Sequence, residues 1–358
     1  MSKKWLENIR RVTPYTPGEQ PKEAGVIKLN TNENPYPPAP GVLRAVRNVT
    51  EDSYRKYPDP VCRELIDAIA KEYGLDPAQV FVGVGSDDVL AMSFMTFFNS
   101  DRPILFPDIT YSFYDVWAEL LKIPYEQIPL DDELKIRPED YTRPNGGVIF
   151  PNPNAPTGAL LDIESVERIL AANTDSIVIV DEAYIDFGGV SALPLLYKYP
   201  QLLVVQTFSK SRSLAGMRIG AAFGSRELIH YLNQVKFSFN SYTMDAVSLA
   251  AGKAAVEDVE WFERTRRMIM STRERTAAKL RKLGFRFSDS AANFLFVTHP
   301  EVPAEELFTV LRENRIYVRY FRQKRIDNYL RITIGTDEEM DTLTEFLGTY
   351  LENRSAGR

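Results

Sequence analysis

Histidine and cysteine are scarce in this sequence, which contains Cys62 alone and, of histidines, only His230 and His299. A lone cysteine excludes an intrachain disulfide framework, and without a CxxC or a Cys/His cluster no zinc site is expected. Neither histidine sits in a recognisable catalytic setting, so a histidine-centred mechanism has little to build on. Long apolar runs are also missing: none approaches the length that spans a bilayer. The start MSKKWLENIRRVTPY lacks the apolar core of a secretory signal. A cytoplasmic protein with no membrane partner is therefore expected. Basic residues number 43 against 49 acidic ones, a net charge of −6, and they are scattered along the chain. That leaves no electrostatic footprint for nucleic acid, and anionic small molecules would need local Arg or Lys.

What is present is the balance of an ordinary globular protein: 358 residues, 44% apolar and 26% charged, enough for two domains sharing one site. From Val80 to about Gly224, short apolar runs alternate with stretches of helical period, the pattern of parallel strands joined by crossover helices. The strand candidates are VFVG (80–83), PILF (103–106), GVIF (147–150), SIVIV (176–180), LLVVQTF (202–208) and IGAAFG (219–224). An α/β fold follows, with a mostly parallel sheet covered on both faces. Beyond Tyr242 the pattern is helical almost to Leu283, then turns to FRF, ANFLFV, IYVR and YLRITIG, as in a smaller α+β domain. The expected division is an arm over residues 1–28, lying on the small domain or on a partner subunit, a large domain over 29–258 and a small domain over 259–358.

Four polar clusters follow or interrupt these strands, and ligands bind at the carboxyl ends of strands in open parallel sheets. VGVGSDD sets Gly83, Gly85, Ser86 and Asp87 between a strand and a helical stretch, where backbone N–H groups could hold a phosphate. It lacks the third glycine of a dinucleotide fingerprint and puts carboxylates where a pyrophosphate would come, which argues against a nicotinamide-dependent oxidoreductase. NPNAPTG (152–158) is a proline-forced turn presenting amide side chains, or an ordinary loop. SIVIVDEAYIDF runs a buried strand into Asp181, Glu182 and Tyr184; a carboxylate there needs a cation, and a protonated pyridine nitrogen is one. TFSKSRSLAGMRIG sets Lys210 just past a strand end, beside Ser209 and near Arg218, which suits an imine-forming nucleophile. Taken alone, Lys210 reads as a solvated lysine; the four clusters together point to a site.

In these clusters, and in LNTNENPYPPAP (29–40), KYPDP (56–60), ITYSFY (109–114), VKFSFNSYTMD (235–245), ANFLFV and YLRITIGT, the chain resembles the fold-type I pyridoxal-phosphate aminotransferases, and among them the histidinol-phosphate aminotransferase family. The resemblance covers nearly the whole chain. It implies that Lys210 holds pyridoxal 5'-phosphate as an imine and, once freed, shuttles a proton, and that Asp181 keeps the pyridine nitrogen protonated. It further implies that Tyr184 and an asparagine of NPNAPTG bind the ring oxygen, and that Tyr111 stacks on the ring. Ser86, Asp87, Ser209 and Arg218 would hold the phosphate, and Tyr57 would reach it from the partner of a homodimer. The family commonly has Asn directly before Pro-Thr-Gly; here that position is Ala155, and Asn154 is the substitute chosen. Arg331 resembles the arginine that pairs with the substrate carboxylate. Arg319 could assist, and Tyr15, Asn240 and Tyr242 are further candidate contacts. The plain readings of these residues are aromatic packing for Tyr57 and Tyr111 and surface positions for the two arginines.

The function implied is transamination of histidinol phosphate with 2-oxoglutarate to imidazole-acetol phosphate and glutamate, in histidine biosynthesis. On the same fold, an aromatic amino acid aminotransferase is the nearest alternative. A threonine-phosphate decarboxylase is less compatible with LNTNENP, since those enzymes usually carry a histidine and glycines there. A non-catalytic sensor would be expected to bring a DNA-binding segment, and no basic stretch supplies one.

Overall fold

The computed structural model describes residues 3–356. Its first strand, β1 (Ile27–Lys28), is short, and it is followed by β2 (Val80–Gly83), β3 (Ile104–Pro107), β4 (Tyr125–Ile128), β5 (Gly147–Pro151), β6 (Val178–Asp181), β7 (Leu202–Thr207) and β8 (Gly220–Phe223). Strands β2 to β8 form one sheet in the order β2-β8-β7-β6-β5-β3-β4. The pairings within β7-β6-β5-β3-β4 are all parallel, while β8 runs antiparallel to both of its neighbours. Side chains alternate between two cores as the pleat requires. Val148, Phe150, Val178, Val180, Leu202 and Val204 enter one layer. Phe106, Ile149, Ile179, Leu203 and Val205 enter the other. Both faces are thus covered, as the uninterrupted apolar runs require.

The strand β4, YEQI, was not among the expected strands. It lies at the sheet edge with only Ile128 buried, so its sequence never becomes an apolar run. The reversed direction of β8 likewise differs from a run of parallel crossovers. Residues 208–219 join β7 to β8 without an α-helix, and a connection of that kind returns the chain antiparallel.

The smaller core contains β9 (Phe294–Val297), β11 (Arg319–Tyr320) and β12 (Leu330–Thr333), while β10 (Ile316–Tyr317) pairs with β1. FRF contributes only a single bridge between Arg286 and Thr298. The long helical stretch divides where Asp258 caps the Trp261 amide, starting the helix Val259–Lys282 immediately after Ala246–Glu257. Leu29, at the head of the expected large domain, is buried in the small core. Of the arm, Tyr15 stacks on Phe113 at 4.2 Å, and Glu19 pairs with Arg312, so the segment touches both parts.

The two parts are joined by Arg273, whose buried guanidinium on the helix Val259–Lys282 donates from Nη1 to Phe187 O at 2.7 Å and Ala292 O at 2.8 Å. Arg273→Ala leaves two carbonyls without this cation. It is expected to cost about 2–4 kcal/mol, read as a lower denaturant midpoint at an unchanged slope. An unchanged midpoint would show that the join does not depend on it.

Candidate active site

The carboxyl ends of β2, β5, β6 and β7 open on one cleft, and each delivers one of the polar clusters. Gly83 ends β2, and the helix Gly85–Phe97 begins without a side-chain cap, while Asp88 Oδ2 accepts from the Val84 amide at 2.8 Å. The amides of that first turn are free to meet an anion. Gly220 of β8 makes the approach possible, since a Cβ there would lie 2.4 Å from Ser86 N. Ser86, Asp87, Ser209 and Arg218 line this end of the cleft together with Thr207 and Ala215. Arg218 Nη2 lies 3.1 Å from Asp87 Oδ2, and Tyr111 donates its hydroxyl to Asp87 Oδ1 at 2.6 Å.

Asp181, the last residue of β6, is 3% exposed and faces the same cleft. Its Oδ2 accepts from the Tyr114 hydroxyl at 2.9 Å and its Oδ1 from the Ala183 amide at 3.2 Å, with no basic side chain hydrogen-bonded to it among the described residues. Burial raises its pKa to about 6 against those two hydrogen bonds. Lys210 is half-buried, with Nζ 3.1 Å from Thr31 O and 5.9 Å from the Tyr184 ring centroid. Desolvation, then the charge of Arg331, brings its ammonium down to about 8. A neutral amine is therefore accessible near physiological pH, as a nucleophile or base requires. Neighbouring Glu182 is fully engaged elsewhere. It accepts from Ser191, the Ala192 amide and Gln206, and burial pushes it up to about 7.

Beyond Lys210 the cleft widens between the two parts, lined by Tyr15, Asn30, Thr110, Tyr111, Tyr184, Arg319, Phe321 and Arg331. Arg319 and Arg331 are opposed on β11 and β12. Arg331 donates from Nη2 to Asn30 O at 3.0 Å, but its Nε is buried with no hydrogen-bond partner. An unpaired buried donor of a cation is costly, and a bound anion would satisfy it.

Several expected residues lie outside the lining of this cleft. Asn154 is buried in the loop: its amide donates to Ile109 O at 3.0 Å and to Thr157 Oγ1 at 3.1 Å, and its oxygen accepts from Thr110 at 3.3 Å. Ala155, not Asn154, lines the cleft. The substitute chosen for the missing asparagine is thus turned into the loop. Tyr57, 81% exposed, packs on Tyr242 at 4.5 Å, and neither they nor the exposed Asn240 line the cleft of this single chain.

The sequence reading gave no role to Thr31, Asn32, Glu33 or Tyr114. Asn32 donates to the Tyr184 hydroxyl at 2.9 Å, and Asn34 donates to Lys210 O at 3.0 Å. Thr31, Asn32, Glu33 and Asn34 all lie in LNTNENP, a stretch singled out as a motif without an assigned chemistry. Their signal was the run of short polar side chains, which satisfy backbone and each other at close quarters.

Comparison with known proteins accords with this geometry. The family described as aminotransferase class I and II matches residues 24–347. The chain is 52% identical to the histidinol-phosphate aminotransferase of Clostridium beijerinckii over 99% of each protein. It is 53% identical to that of Aromatoleum aromaticum, over 98% of this chain and 100% of the relative. Among solved structures, the histidinol-phosphate aminotransferase of Sinorhizobium meliloti in complex with pyridoxal-5'-phosphate superposes with a TM-score of 0.84 at 24% identity, covering 92% of this chain and 91% of that one. This chain belongs to the aminotransferase class I and II family.

Proposed function

We propose that the chain is a pyridoxal 5'-phosphate-dependent transaminase that moves the amino group of histidinol phosphate to 2-oxoglutarate, giving imidazole-acetol phosphate and glutamate in histidine biosynthesis. The observation that carries this reading is one cleft holding Lys210, the isolated buried carboxylate of Asp181 and the half-satisfied Arg331, in a chain about half identical, end to end, to histidinol-phosphate aminotransferases.

The residues fit the cofactor. Asp181 offers a buried negative charge for a ring nitrogen, the helix start at Gly85 with Ser86, Ser209 and Arg218 offers a phosphate cradle, and Lys210 lines the same cleft. When bound, pyridoxal 5'-phosphate supplies an aldehyde that condenses with amines and a ring that takes up an electron pair. Lys210 is the amine that would hold the cofactor's aldehyde, and its Nζ, brought down to about 8, would hold and return a proton at the reacting carbon. Asp181 would face the ring nitrogen and favour its protonated form. Tyr184, its hydroxyl fixed by Asn32, would donate to the ring oxygen, with Ala155 lining the cleft in place of an asparagine. Tyr111, held by its hydrogen bond to Asp87, would cover the ring face.

Arg331, with Arg319 beside it, would take the anionic end of either substrate, the phosphate of one and a carboxylate of the other. The aromatic lining of Tyr15, Tyr111 and Phe321 would receive an imidazole, and equally a phenyl ring. A homodimer with Tyr57 reaching the partner's phosphate cradle is supported by the exposure of Tyr54, Tyr57 and Phe239. No helix among the described residues is long and apolar enough to cross a membrane. We place the enzyme in the cytoplasm, which its unpaired, buried Cys62 accords with.

The deciding experiment loads the protein with pyridoxal 5'-phosphate and titrates it separately with histidinol phosphate, phenylalanine, threonine phosphate and glutamate, following the cofactor's absorbance. Conversion by histidinol phosphate at far lower concentration than by phenylalanine is expected; the reverse order makes the protein an aromatic aminotransferase. Lys210→Ala should stay folded by circular dichroism yet lose multiple turnover by about a thousand-fold or more, and normal turnover would remove Lys210 from the mechanism. Arg331→Lys should raise KM for both substrates by about tenfold or more with cofactor affinity unchanged, because an ammonium cannot reproduce a bidentate fork. For the dimer, sedimentation should give twice the 40.8 kDa chain mass, and Tyr57→Phe should weaken cofactor binding. A fully active monomer rules the dimer out.

A further inference from the structure

ITYSFY delivers two tyrosines to the site, and only Tyr111 has so far been given a task. Tyr114 opens the helix Tyr114–Leu121 and is wholly buried. Its ring packs in an aromatic cluster, 5.9 Å from Phe106, 5.8 Å from Tyr111 and 6.2 Å from Phe94. Packing accounts for the ring and not for the hydroxyl. A phenol in so apolar a setting is costly unless bonded, and the partner it meets is Asp181 Oδ2 at 2.9 Å. The other oxygen of Asp181 accepts from the Ala183 amide. A carboxylate has about four acceptor positions, so two remain for the cleft.

We propose that Tyr114 is a positioning residue for the transamination, its hydroxyl fixing the orientation of the Asp181 carboxylate and keeping it ionised against the cofactor's ring nitrogen. The proposal rests on the role given to Asp181 above. Burial favours the neutral acid, as does the nearby charge of Asp87, while the Tyr114 hydroxyl and the Ala183 amide oppose both. Without the hydroxyl, the carboxylate binds a proton more tightly. The proton shared with the ring nitrogen then shifts toward Asp181, and the ring is a weaker electron acceptor. Tyr114 does not line the cleft and acts through Asp181.

The test is the holoenzyme carrying pyridoxal 5'-phosphate labelled with nitrogen-15 in its ring, as wild type and as Tyr114→Phe. Phenylalanine keeps every ring contact and removes one oxygen. The variant's nitrogen resonance is expected to move toward that of an unprotonated pyridine, with kcat about ten- to a hundred-fold lower and KM for histidinol phosphate little changed. An unmoved resonance overturns the proposal whatever happens to kcat, because loss of packing alone would not change the protonation of the ring. Should Tyr114→Phe fail to fold, 3-fluorotyrosine placed at 114 supplies a stronger donor of nearly the same shape. It should move the resonance the opposite way, and no movement again overturns the proposal. A wild-type protein that takes up no cofactor would instead defeat the functional reading itself.

Discussion

A carboxylate buried at the end of a strand sets the terms for the rest of this molecule. Asp181 closes β6 in the middle of a sheet covered on both faces, where an ion is costly and no basic side chain among the described residues hydrogen-bonds to it. Such a group persists only where its surroundings keep it usable, and here they do so by geometry. The Tyr114 hydroxyl and the Ala183 amide supply its hydrogen bonds, and the carboxylate faces the cleft. Lys210, in the same cleft, is hydrogen-bonded to Thr31 O instead.

Charge around the cleft is arranged so that no pair cancels completely. Arg331 keeps one donor unmatched, and Lys210, depressed by desolvation and by Arg331, is poised to lose its proton. Asp87 ties Arg218 and Tyr111 together at the opposite end. The same low-dielectric setting that makes each of these groups costly makes each effective toward a ligand. Rigidity comes from outside the site: the parallel strands fix the loop bases, and Arg273 fastens the small core to the loop after β6.

LNTNENP shows how far apart in sequence the parts of such a site can be. Leu29 packs in the small core, Asn32 bonds to Tyr184 and also, through its own carbonyl, to Asn293, and Asn34 holds the backbone at Lys210. Seven residues thus connect the small core, Tyr184 and Lys210. A shift of one part against the other would be felt at Tyr184 and Lys210 together.

The amino-acid sequence by itself determined the central strands, because a strand buried on both faces must be written as an unbroken apolar run. It determined where polar clusters interrupt those runs, and so named Lys210, Asp181, Tyr184, Ser86, Ser209 and Arg218 as residues of one cleft. The edge strand β4 escaped because half-exposed strands carry no such run, and the direction of β8 was decided by a helix-free connection instead of by composition. Only the tertiary structure decided which side chain of a loop faces inward. Asn154 and Ala155 are adjacent, and backbone geometry turned the amide into the loop and the methyl into the cleft. Only the structure, too, brought Tyr114 to Asp181 and Asn32 to Tyr184, pairs separated by 67 and 152 positions. Contacts at such separations are set by the packing of whole elements, and no local pattern of residues encodes them.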